Sequence, residues 1–341
     1  MYSKGLHYVY QSSPNLRMLE DEFADGISRA VGVSGDSRAQ VKARRGFINI
    51  TFFIYRRAHL MMSHGVADKN YLLRQDPKGG LEINKYQAVC VPGFWIKQKL
   101  LAHKRLELDS HQIKVVGWPR IDALLAAAAK RPERKRPSTR SEIKVLWAPT
   151  HGSEVQKGKL AVSSYPALME YEEKLADIFD FEVSLHPNVR GGGRPTFEQL
   201  LDADVVIADR GTMVYEAWAL GKPVVFPSWL IGEGNKQQKK GSAENHIFKS
   251  NIGCHAWSFD ELVDMVTSAT GLGADVSSFM QDYLPPHVIG RSYDLIADAV
   301  LEIDGMKGSR IKPKVRVDDE KRGVLSDLKQ RIFSSFKIRA R

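Results

Sequence analysis

The chain has 341 residues, 43% of them hydrophobic and 26% charged, with 50 Lys and Arg against 40 Asp and Glu. These are the proportions of a soluble globular protein with room for two domains. No run approaches the ~18 apolar residues of a membrane span, the first residues lack the apolar core of a signal peptide, and Cys90 and Cys254, far apart, read as reduced thiols of a cytoplasmic protein rather than as a disulfide framework or metal site. The formal net charge of +10 is concentrated at one end: Met306 to Arg341 holds twelve Lys and Arg against four Asp and Glu. The remainder is nearly neutral, which excludes a nucleic-acid surface spread over the whole protein.

The predicted elements begin with a strand at His7-Tyr-Val-Tyr10 and a helix near Met18 to Val31. Phe47 to Tyr55 is rich in β-formers, Leu60-Met-Met leads into Ser63-His64-Gly65, and Tyr86 to Val91 and Ile113 to Gly117 are further short strands. Lys130 to Ser141, with two prolines and a dense basic run, reads as a linker or exposed loop. A second α/β pattern starts with the strand Ile143 to Ala148, followed by a helix over Tyr165 to Phe179, a strand at Phe181 to Leu185 ending at His186, and a short helix at Phe197 to Leu201. Phe259 to Ala269 and Ser292 to Ile303 read as amphipathic helices, and the polar, glycine-rich loop Ile231 to Ser242 reads as either a lid or a plain surface loop.

The fold class is therefore α/β, with two Rossmann-like, doubly wound domains facing a cleft. The expected boundaries are an acceptor-side domain over 1–129, a basic linker over 130–142, a nucleotide-donor domain over 143–304 and a basic tail over 305–341.

The segment Ala208 to Phe226, with the strand that leads into it, is the most informative. Val205-Val-Ile-Ala208 reads as a buried strand, Asp209 to Thr212 as a tight turn, the residues through Leu220 as a helix stopped by Gly221, and Val224-Val-Phe226 as the next strand. In open α/β sheets ligands bind at the carboxyl ends of strands, and the free N–H groups at a helix amino end suit a phosphate. Gly211 and Thr212 are so placed, with Glu216 one turn deeper, able to reach ribose hydroxyls. Most such units in parallel-sheet proteins carry no ligand, so the weight of the reading lies in what surrounds this one.

Two histidines stand at strand ends, His64 and His186, and His151 follows a third strand end at Thr150. A histidine near neutral pH can take a proton from a hydroxyl nucleophile. No P-loop, no Asp-x-Asp pair and no His/Cys cluster with ligand spacing occurs, so neither a metal nor a cofactor is expected.

The ordered set His64-Gly65 with Lys69, Gly117-Trp-Pro-Arg120-Ile-Asp122, Trp147-Ala-Pro-Thr150, Leu185-His-Pro187 and Ala208-Asp209 to Pro223 resembles the CDP-glycerol glycerophosphotransferases, the teichoic-acid primase and polymerase type of enzyme. The resemblance runs from about residue 58 to 303. It implies a GT-B fold and transfer of glycerol phosphate from CDP-glycerol to a hydroxyl of a lipid-linked polymer, releasing CMP. It implies His64 as the base, His186 on the donor phosphates, and Thr150, Asp209, Gly211, Thr212 and Glu216 as donor-binding residues. Gly65, Lys69, Arg120, Asp122 and His151 would line the cleft. The chain departs from the family where a serine pair is replaced by Gly211-Thr212, where an aromatic and an arginine are replaced by His151-Gly152, and where Glu216 stands for an aspartate. The donor is thus CDP-glycerol, CDP-ribitol or another activated alditol or sugar. A glycosyltransferase using a UDP- or GDP-sugar and an inactive binding protein of the same fold are the alternatives.

Finally, Val324, Leu325, Leu328, Ile332, Phe336 and Ile338 recur at near-helical spacing among basic residues. This predicts an amphipathic tail over 321–341 that docks the protein on the anionic inner face of the cell membrane, next to a lipid-linked acceptor. Few aromatics interleave its charges, so no nucleic-acid partner is expected; the alternatives to membrane docking are a solvated tail and a helix packed on the body or on a second copy of the chain, in a homo-oligomer.

Overall fold

The computed structural model describes residues 5–10, 14–33, 36–39, 42–68, 70–132, 134, 137–150, 163–185, 193–231 and 240–305. They fall into two compact α/β units, one within 1–64, 71–119 and 287–341, the other within 65–70 and 120–286.

The first unit runs β1 (Leu6–Val9), α1 (Pro14–Val31), β2 (Asp36–Ala39), β3 (Ile48–Thr51), β4 (Leu60–Met62), β5 (Ala88–Val91), α2 (Phe94–Leu101) and β6 (Ile113–Val115). Its six strands form a parallel sheet in the order β2-β1-β3-β4-β5-β6. Strands β1, β3, β4 and β5 are buried along their whole length, as expected where both faces of a parallel sheet are covered. The β-rich run from Phe47 to Tyr55 is a strand only as far as Thr51. The Thr51 hydroxyl donates to the Val9 carbonyl (2.8 Å), and Phe52 leaves the sheet to pack with Phe23 (ring centroids 5.7 Å), which meets Trp118 edge-on at 6.2 Å.

The second unit continues with α3 (Pro119–Ala128), β7 (Lys144–Ala148), α4 (Glu172–Ile178), β8 (Asp180–Val183), α5 (Thr196–Asp202), β9 (Val205–Ala208), α6 (Thr212–Ala219), β10 (Val224–Pro227), α7 (Ser228–Ile231), α8 (Ala243–Lys249), β11 (Cys254–Ala256), α9 (Phe259–Ser268) and α10 (Ala274–Tyr283). Its parallel sheet has the order β11-β10-β9-β7-β8. Val145, Trp147, Val205, Ile207 and Val225 build one core cluster with Leu175, Phe179 and, from α9, Leu262 and Val266. The Ser258 hydroxyl caps α9 by accepting from Glu261 N (3.1 Å). The helix expected over Tyr165 to Phe179 divides into a 3-10 turn at Ala167–Tyr171 and α4.

The last helix, α11 (Ser292–Gly305), returns to the first unit. A Cβ on Gly26 of α1 would fall 2.1 Å from the Tyr293 ring, so glycine is what lets the two helices approach. Lys114 of β6 pairs with Glu302 of α11. The expected boundaries at 129 and 304 therefore need revision, since α3 from Arg120 onward belongs to the second unit and α11 to the first. The basic stretch 130–142 also differs from a free linker. Its Arg131 pairs with Glu198 and Asp202 of α5, and Arg134 pairs with Asp204 at 2.9 Å. Acidic partners on the second unit hold it there. The lid or loop expected at 231–242 lies mostly outside the described residues, as does the tail from 306 onward. Among the described residues no helix is long and apolar enough to cross a membrane.

Candidate functional site

In the second sheet the chain steps outward from β7 to β8 and then resumes on the other side of β7, at β9. This reversal creates a switch point at the carboxyl ends of β7 and β9, where Ala148 and Ala208 are paired. Such points are where open α/β sheets take ligands. The first sheet has a reversal too, between β1 and β3, but there Arg56 Nε donates to the Tyr10 carbonyl (3.3 Å) and Phe52 and Phe53 are buried.

Asp209 ties the two strand ends of the second unit together. Its Oδ2 accepts from Thr150 N (2.9 Å), and the Ser163 hydroxyl lies 2.9 Å from the same oxygen and 2.7 Å from the Thr150 carbonyl. Asp209 has no exposed surface. Burial raises its pKa above the ordinary aspartate value, and the hydrogen bonds it accepts pull the other way. Thr150 and Asp209, both expected on the donor, are thus joined to each other at the strand ends, in a tie that shapes the turn.

Gly211 follows with φ of 93° and ψ of −166°, a conformation only glycine adopts readily, and it caps α6. Its N–H was expected to be free for a phosphate. It is instead shared between the two carboxylate oxygens of Glu244, each 3.3 Å away. Tyr215 of α6 donates to Glu244 Oε1 at 3.3 Å. Burial, with Tyr283, Glu244 and Asp68 nearby, pushes the Tyr215 hydroxyl well up, so it stays a donor. Buried Arg210 faces Glu244 and Asp209 electrostatically; burial lowers its pKa and the two acids pull it back. Thr212, half-buried, remains at the helix end.

A separate strand of chain supports this turn. Residues 65–70 belong to the second unit, although they directly follow His64 of the first. A Cβ on Gly65 would meet Thr212 Oγ1 at 3.3 Å. Asp68, buried, accepts from Asn70 N and from Ala243 N, each at 3.0 Å. Tyr283 donates to the Val66 carbonyl (2.7 Å) and stacks on Tyr215 with centroids 4.4 Å apart.

Two residues expected in the site meet each other. Arg120 Nε donates to Glu216 Oε1 at 2.7 Å, with the guanidinium over the Phe197 ring. Asp122 lies half-buried in the first turn of α3. His64 has its ring edge-on to Tyr71, centroids 6.4 Å apart. His186, His151 and Lys69 lie outside the described residues. Among the described residues no group of three or more His, Cys, Asp or Glu could hold a metal ion.

Glu244, Asp68 and Ser163 were missed from the sequence. Glu244 is 33 positions from its partner Gly211, and the only local signal there is Ser242, an N-cap whose hydroxyl accepts from Asn245 N (3.1 Å).

No protein-family model matches the chain, and no curated protein sequence matches it. Solved structures do. A variant of the Wall Teichoic Acid Polymerase TagF soaked with CDPG aligns over 90% of this chain and 90% of its own, with a TM-score of 0.56 at 11% identity. A second TagF variant aligns over the same shares with a TM-score of 0.50 at 12% identity. A UDP-GlcNAc 2-epimerase from Methanocaldococcus jannaschii, in complex with UDP-GlcNAc and UDP, aligns over 87% of this chain and 99% of its own, at 12% identity and a TM-score of 0.48, too low to carry weight. The fold is GT-B-like, built from two parallel-sheet α/β units.

Proposed function

We propose that the chain is a GT-B transferase that moves glycerol phosphate, or a related alditol phosphate, from a CDP-linked donor to a hydroxyl of a lipid-linked or polymeric acceptor. The observation that carries this reading is the Gly211-Thr212 turn, set at the switch point of the second sheet and opening α6. The fold shared with TagF and the ordered motifs from His64 to Pro223 support the donor class.

In the proposed step the acceptor oxygen attacks the phosphorus that carries the glyceryl group. The bond from that phosphorus to the bridging oxygen breaks, and CMP leaves with the oxygen and its charge. His64 takes the acceptor proton. The amino end of α6 and His186 hold the phosphates. Glu216, oriented by Arg120, serves the ribose hydroxyls. Neither a metal nor a cofactor has a role in this scheme. Residues 321–341 would dock the enzyme on an anionic membrane beside its acceptor.

The test is CMP release from CDP-glycerol and CDP-ribitol with a polyol-phosphate acceptor. Turnover that falls about 10²–10⁴-fold in His64→Ala supports the reading. Turnover of a UDP- or GDP-sugar instead makes the protein a glycosyltransferase, and binding without turnover of any donor makes it a binding protein.

A further inference from the structure

An anion at a helix amino end is ordinarily the ligand. Here the chain supplies one itself. Glu244 is 4% exposed, both of its oxygens face Gly211 N at 3.3 Å, and Tyr215 donates to it from the next turn of the same helix. Its own helix is fixed from outside, since Ala243 N, one residue before it, is bound by Asp68. Asp68 in turn is anchored to the strap 65–70 that packs on Thr212. Two buried carboxylates, Asp209 and Glu244, therefore bracket a turn whose expected ligand is also an anion, with the buried Arg210 between them in sequence facing both and Asp68 one contact further out, on Ala243 N.

We propose that Glu244 is the resident anion of the α6 amino end: a positioning residue that fixes the 209–212 turn and directs a donor phosphate to Thr212 rather than to Gly211. The physical grounds are direct. A carboxylate held by an N–H and a hydroxyl satisfies the first orphan donor of the helix. The N–H groups of residues 212 and 213 still lack helical acceptors, and Thr212 adds a hydroxyl at half-exposed surface. With both Glu244 oxygens already on Gly211 N and Arg210 facing the same carboxylate, a phosphate would have to displace Glu244 to settle on Gly211. This rests on the donor site proposed above for its ligand, but not for its structural half.

The experiment pairs Glu244→Gln with Glu244→Ala in the full chain. Hydrogen exchange resolved to the Gly211 amide should quicken roughly ten- to a hundredfold in Glu244→Gln, the ratio expected when a charge-assisted bond becomes a neutral one or is lost. In Glu244→Ala, formate and inorganic phosphate should restore protection at the Gly211 amide saturably, whereas in the wild type neither should change protection at that amide. Unchanged Gly211 protection in Glu244→Gln overturns the proposal, as does a Glu244→Ala protein that gains nothing from either anion. If Glu244→Ala does not fold, the Glu244→Gln exchange decides alone. A wild type that binds no nucleotide would sink the donor reading while leaving the exchange result to stand or fall separately.

Discussion

Arg120 and Glu216, 96 positions apart in sequence, meet at 2.7 Å, and Glu216 is 1% exposed. An ion pair with one partner this deeply buried is costly to break from one side, because the remaining charge keeps its desolvation penalty. Arg120→Met should therefore destabilise the second unit by about 3 kcal/mol. The double variant Arg120→Met, Glu216→Leu should recover most of that loss, and a double-mutant cycle in denaturant measures the coupling.

Gly117 sits at φ of 73°, where an added Cβ would lie 2.8 Å from Ser292 Oγ and 3.0 Å from the Val288 carbonyl. The left-handed backbone and the close approach both oppose a side chain. Gly117→Ala should cost about 2 kcal/mol or more, read as a lowered denaturant midpoint. The segment Gly117-Trp-Pro-Arg120 thus divides its duties: glycine for the approach to α11, a buried tryptophan for the first core, and an arginine for Glu216.

Asp209 gives a pH signature. Its folded pKa lies above its unfolded one because burial disfavours the charge. A group of this kind contributes stability that is complete below the unfolded value, about 3.9, and that is lost as pH rises through the folded value. The difference in stability between wild type and Asp209→Asn should therefore shrink as pH rises from about 4 upward. Parallel urea titrations across that range check the sign.

Lys222 makes the opposite case. Its ammonium donates to the carbonyls of Leu201 (3.0 Å) and Ala203, and burial lowers its pKa to about 8, with Asp204 opposing. The unfolded chain holds a proton between about pH 8 and its ordinary value that the folded chain has released. Stability should rise with pH across that window, and Lys222→Met should abolish the rise.

Much of the second unit was legible because its signals are local. Val205-Val-Ile-Ala208 is a continuous apolar strand, and Gly221, with φ of 73°, stops the following helix where the sequence says it should. The expected amphipathic helix at Ser292 was found as α11, yet no local pattern tells which unit its apolar face will join. Glu244 on Gly211 and Asp68 on Ala243, 175 positions apart, are tertiary facts of the same kind. A turn with small residues announces an anion site; it does not say that the chain fills part of that site itself.

Binding of a cytidine nucleotide by the second unit is read from thermal unfolding with CDP, UDP and GDP, each alone and as its alditol or sugar conjugate. A ligand at about 100 times its Kd adds about 2.7 kcal/mol of stability. Selective stabilisation by CDP and CDP-glycerol, lost in Thr212→Val, is expected of a cytidine-nucleotide transferase. Preference for UDP or GDP, or silence from every nucleotide, would contradict that assignment.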